Sequence, residues 1–195
     1  STAMAIFINS WPVGIGLALF VLPLLASSGG TAFAMWVLCG LVGAALVLFA
    51  LFYHAPENAT AAAVKLERRK LPIIALGFAS GVWALYNTAL AMVFSFGPAF
   101  FVQQGWTLAS AGSVTSLFML LFSIGLPIGG IVADRTGRKD LTILVSLISF
   151  AVLIPLAVYV PATTLVVFCL LGFFFALGAG PTMTLPAEIL PPQSR

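Results

Sequence analysis

Long apolar stretches alternate with short polar ones along this chain. Six stretches reach membrane-crossing length: residues 3–25, 32–53, 72–102, 107–132, 141–160 and 164–189. Five carry no charged residue, and the sixth has only Glu188, near its end. A helix needs about 20 apolar residues to cross the hydrocarbon core. Lipid offers no partner to an unpaired backbone group, so only helices or closed barrels span it. Barrel strands alternate apolar and polar over about ten residues, whereas these runs are unbroken over twice that length. The pattern predicts an all-α membrane protein with six transmembrane helices. The breaks between them read as turns at Ser27-Ser28-Gly29-Gly30, Gln103-Gln104-Gly105-Trp106 and Pro161-Ala162-Thr163, with the first span ending near Pro23. The third span would be about 46 Å long at 1.5 Å per residue, so it must tilt, bend or protrude. Gly97-Pro98 offers a bend, because proline cannot donate the helical hydrogen bond.

Charge gives these spans a direction. All eight Lys and Arg fall in three places: Lys65, Arg68, Arg69 and Lys70; Arg135, Arg138 and Lys139; and Arg195. With six spans, all three places lie on one face of the membrane. Basic residues in short loops mark the cytoplasmic side. The chain is 62% hydrophobic and 7% charged, against about 25% charged in a soluble domain. An integral protein of the cytoplasmic membrane, of the bacterial inner-membrane kind, follows. Nucleic acid is not an expected partner, since the basic residues are dispersed and have no aromatic platform beside them. Cys39 and Cys169 lie in apolar stretches and behave as small hydrophobes. They form no metal-ligand spacing, and no metal or cofactor is expected.

One segment is specific. Gly130-Ile131-Val132-Ala133-Asp134-Arg135-Thr136-Gly137-Arg138-Lys139 resembles the loop motif G-x-x-x-D-R-x-G-R-K/R of the major facilitator superfamily, matching every defining position. Gly130 can let a neighbouring helix come close, and Gly137 permits a tight reversal. Asp134 can face a helix N-terminus, whose partial positive charge favours an anion. The resemblance implies that Asp134, Arg135, Arg138 and Lys139 form a cluster that latches one conformation and opens in the other. The segment from Glu188 to Arg195 resembles the acidic, Pro-containing turn after the fourth helix of a family half. Glu188 is then the expected partner of Arg138.

The motif follows the fourth span. In the family it joins the second and third helices of each six-helix half. The resemblance therefore implies that these spans are helices five to ten of a twelve-helix fold. Residues 1–53 would be the last two helices of the N-terminal half. Residues 54–71 would be the cytoplasmic linker between halves, and 72–195 the first four helices of the C-terminal half. The missing helices of the same transporter become expected partners, alongside the bilayer.

In that fold the first and fourth helices of each half line a central cavity, here the third and sixth spans. At 100° per residue, Ser80, Trp83, Asn87 and Ser95 share one stripe of the third span, and Leu85, Met92 and Phe96 lie opposite. A polar group in mid-membrane is a functional candidate. Ser80, Trp83, Asn87, Ser95 and, early in the first span, Asn9 are the substrate-cavity candidates. Small residues recur on one face of the fourth span (Gly112, Ser116, Ser123, Gly130) and on the sixth (Gly172, Ala176, Gly180), a packing pattern. Gly178-Ala179-Gly180-Pro181 reads as a flexible point. No carboxylate, Lys or Arg lies deep in a span, so any coupling residue belongs to the missing helices, or the transport is uncoupled. The resulting reading is a secondary active transporter that moves a small solute by alternating access. A six-span channel or structural membrane subunit is the alternative. An enzyme is not expected, because the spans hold no nucleophile–base pair and the single His54 sits at a span end.

Overall fold

The computed structural model describes residues 6, 8–53, 72–160 and 163–189, with side chains as far as residue 186. The segment 54–71, read above as a linker, and the tail 190–195 lie outside the described residues. The described residues form six helices: α1 Ser10–Phe52, α2 Ile73–Gln103, α3 Leu108–Thr136, α4 Lys139–Tyr159, α5 Thr164–Ala176 and α6 Ala179–Ile189.

The helices redraw the expected boundaries in three places. First, α1 runs through Pro23 and through Ser27–Gly29, where a turn was expected. It leaves helical geometry only at Gly30, with φ 81°. Ser27 and Ser28 fold their hydroxyls back onto the carbonyls of Leu24 and Leu25, which lets two polar residues stay helical. At 43 residues a straight helix would be about 65 Å long, twice the hydrocarbon core. The Gly30 break divides it into arms 10–29 and 31–52, each of span length. Second, α3 extends four residues beyond the expected end, so Asp134, Arg135 and Thr136 are helical. Third, the sixth span is broken at Leu177–Gly178 into α5 and α6. The third span, by contrast, stays helical through Pro98.

The α2–α3 turn shows how local chemistry fixes a corner. Gly105 has φ 88°. Its N–H donates to the Val102 carbonyl at 3.0 Å, and the Trp106 N–H donates to the Phe101 carbonyl at 3.1 Å. These two bonds make a Schellman cap, in which glycine takes the left-handed position. The apolar contact that accompanies such a cap is the Phe101–Trp106 ring pair, 5.3 Å apart. Thr107 then starts α3, its hydroxyl accepting from the Ser110 N–H at 3.2 Å, as N-cap residues do.

Helix α3 is the hub, packing on every other helix. Two stripes of small residues make that possible. Gly112 and Ser116 face α1: a Cβ on Gly112 would lie 2.6 Å from the Leu19 carbonyl oxygen, and Ser116 Oγ donates to the Gly16 carbonyl at 2.6 Å. On the other flank Gly125 and Gly129 sit against the backbone of Phe173 and Leu177, and Gly172 sits against that of Phe118. The aromatic core fills the space between α2, α3 and α5 with Tyr86, Phe101, Phe118, Phe122 and Phe175, all buried. The outer arm of α1 differs. From 31 to 52 only Ala34 is buried, and Trp36 is 76% exposed. Such a surface needs lipid or further helices around it.

Candidate functional site

A cavity of about 230 Å³ opens where α1, α2, α3 and α6 converge. Its walls are Ile8 and Trp11; Trp83, Tyr86, Asn87 and Leu90; Phe122 and Leu126; and Ala179, Gly180 and Met183. Among the described residues the lining is apolar and aromatic, with one amide and no charged side chain. Small ligand sites share this character: apolar walls with few polar groups that fix orientation.

Among the expected residues, Trp83 and Asn87 meet in this wall. Asn87 Nδ2 donates to the Trp83 carbonyl at 2.8 Å. That bond fixes the amide, since the reversed group would set two acceptors against each other. Ser80 and Ser95 are exposed and are not in the lining. The cavity face of α2 is turned from the polar stripe by about 60°, at 100° per residue, toward Tyr86 and Leu90. Asn9 is partly buried beside the lining residues Ile8 and Trp11. Its Oδ1 is buried without a hydrogen-bond partner, a costly arrangement inside a membrane.

Tyr86 is a lining residue that polar periodicity does not single out. It lies off the polar stripe, yet it is buried, lines the cavity and donates its hydroxyl to the Phe175 carbonyl. Ser146, from α4, donates to the same carbonyl. The reason lies in the break of the sixth span. Phe175 is in the last turn of α5, whose final carbonyls have no intrahelical partner. Two hydroxyls from two other helices supply them. A buried Tyr hydroxyl usually finds a partner, and that rule was the available signal. Across the break, Leu177 N–H donates to the Phe174 carbonyl at 3.3 Å, and Thr182 N–H to the Gly178 carbonyl at 2.9 Å. Pro181 has no N–H to offer the Leu177 carbonyl. The flexible point read at Gly178–Pro181 thus coincides with the interruption, one residue later than it starts.

The motif occupies the α3–α4 corner. Gly137 is the C-cap of α3 at φ 67°, and its N–H donates to the Ala133 carbonyl at 3.1 Å. Arg138 precedes α4, its N–H donating to Thr136 Oγ1 at 3.3 Å. The corner is therefore two residues long, and Asp134 and Arg135 stand on the last turn of α3. Arg135 and Arg138 are exposed, and Gly130 is buried. An added Cβ on its neighbour Gly129 would strike the Leu177 backbone. The side chain of Glu188 lies outside the described residues. A β-branched residue at 137 cannot hold left-handed geometry cheaply, at about 1–2 kcal/mol. Gly137→Val is expected to lower the melting temperature of the purified protein by a few degrees. An unchanged melting curve would contradict the assigned cap.

Fold and site define an integral membrane protein with packed apolar spans, an internal cavity and a broken helix beside it. The family model of the Major Facilitator Superfamily matches residues 1–195. The chain belongs to that family, whose members are transporters. No curated protein and no solved structure matches it.

Proposed function

We propose that the chain works as part of a secondary active transporter that moves a small solute across the cytoplasmic membrane by alternating access. In such carriers two repeat units rock around a midplane site. In this reading 1–53 closes the N-terminal half, 54–71 links the halves on the cytoplasmic side, and 72–195 opens the C-terminal half. Trp83, Asn87 and Tyr86 contact the solute. Gly130, Asp134, Arg135, Gly137, Arg138, Lys139 and Glu188 form the latch motif, on the face that the basic-loop rule makes cytoplasmic. The observation that carries the reading is the cavity at the α5–α6 break. Discontinuous helices at a cavity are where carriers bind and switch, and here three lining residues follow the break directly.

The test is counterflow by the full-length transporter in proteoliposomes. A carrier takes up label faster into vesicles preloaded with unlabelled solute, whereas a channel shows no such acceleration. Asn87→Leu keeps the side-chain size and removes the amide. It is expected to cut exchange about tenfold, the worth of one hydrogen bond, with little change in melting temperature. Equal uptake by loaded and empty vesicles, for every solute transported, would end the carrier reading.

A further inference from the structure

Three aromatic rings form a ladder that ends at the cavity. Phe175 and Tyr86 are stacked 4.3 Å apart with 16° between their planes. Tyr86 and Trp83 are 6.2 Å apart and within 6° of parallel. The inner two rings are buried, while Trp83 is half-buried and lines the cavity. Trp11 closes the α1 side, its ring set edge-on to Phe94 at 6.0 Å and 82°. The Tyr86 hydroxyl and one N–H of Asn87 are already engaged with backbone carbonyls.

We propose that the cavity selects a flat, ring-bearing solute without negative charge, bound parallel to Trp83 as the next member of the ladder. This rests on the carrier reading and adds to it the class of solute. Three arguments carry it. Parallel offset rings attract beyond their buried area, and Tyr86 and Phe175 hold the Trp83 plane. An anion would face the negative side of aromatic rings and lose its hydration with no cationic side chain among the described lining residues to replace it. A neutral ring loses nothing of that kind, and a cationic one is attracted to the ring faces. A polyol would bring many hydroxyl groups to a wall with one partly engaged amide, leaving most of them unpaired. The volume of about 230 Å³ equals that of about eight waters, enough for a fused two-ring solute.

The experiment is a calorimetric titration of the detergent-purified full-length transporter with three probes of one skeleton. They are 2-naphthol, 2-naphthoate, which adds a negative charge, and decahydro-2-naphthol, which is not flat. Each is corrected for binding to empty micelles. We expect 2-naphthol to bind about tenfold more tightly than either of the others. Trp83→Leu should weaken 2-naphthol about 3- to 10-fold, the range of a lost ring pair, and Trp83→Tyr should restore most of it. Equal affinity for naphthoate or for the decahydro compound overturns the inference, as does absence of 2-naphthol binding. The wild-type comparison decides even if the Trp83 variants fail to fold. The two readings fail separately. Ring-selective binding with no exchange acceleration for any solute sinks the carrier and leaves the cavity chemistry standing. Acceleration with a solute that is not flat, and no naphthol binding, does the reverse.

Discussion

Gly129→Leu is expected to stop the spans from assembling. The three atoms nearest to an added Cβ at 129 all belong to the backbone of Leu177. A side chain can rotate away from an intruding methyl group, but a backbone held in a helix junction cannot. Overpacking of a fitted interior costs about 1–3 kcal/mol and occasionally more. Here the cost should exceed about 3 kcal/mol, because α3 and α5 must separate along their shared length. The measurement is the fraction of purified full-length protein that elutes as a single species in detergent, followed by its melting temperature. Gly14→Ala serves as the control, since a Cβ there meets nothing within 4 Å. A Gly129→Leu protein that elutes and melts like the parent would refute the close approach of α3 to the break.

The second large effect is a non-additive one. Removing the Tyr86 hydroxyl alone leaves Ser146 on the Phe175 carbonyl, and removing the Ser146 hydroxyl alone leaves Tyr86. Single hydrogen bonds between membrane helices average about 0.6 kcal/mol. Each of Tyr86→Phe and Ser146→Ala should therefore lower stability by less than about 1 kcal/mol. The double variant strands a buried carbonyl, which costs about 1–3 kcal/mol. It should lose about 2–3 kcal/mol, more than the sum of the singles. Unfolding of the three variants in mixed micelles supplies the cycle. Strict additivity would mean that the two hydroxyls do not share an acceptor.

Much of this architecture is written in the sequence at the scale of single helices. Span length and the absence of charge fixed where the chain crosses, because the bilayer imposes both directly. The Gly130–Lys139 spacing identified the family, since a two-residue corner with a left-handed cap tolerates few alternatives. Contacts between helices were less visible. The stripe of Gly112 and Ser116 was readable, and it does face a neighbour. The Gly125–Gly129 pair has the same four-residue spacing but lies on another face of α3, outside that stripe. The break at Leu177–Gly178 was foreshadowed by Gly and Pro, but its consequence was not. Which hydroxyls would satisfy the freed Phe175 carbonyl depends on where α2 and α4 lie, and no local pattern states that. For the same reason polar periodicity favoured Ser80 and Ser95, which are exposed, over Tyr86. An aromatic ring with a polar tip reads as greasy on a helical wheel.

The bond from Ser116 to the Gly16 carbonyl joins residues 100 positions apart, and this spacing has a meaning in time. A ribosome adds about 5–20 residues per second, so α1 waits about 5–20 s in the membrane before its packing partner has been made. During that interval the carbonyls and small residues that α3 will cover lack that partner. Helix α1 must therefore hold its place in the membrane for that interval without α3. The tertiary structure closes in reverse: the late arrival, α3, gathers helices on both sides of itself in the chain. A synthesis arrested before residue 108 should leave α1 and α2 inserted without the α3 contacts that join them, open to whatever helper recognises unpartnered membrane helices.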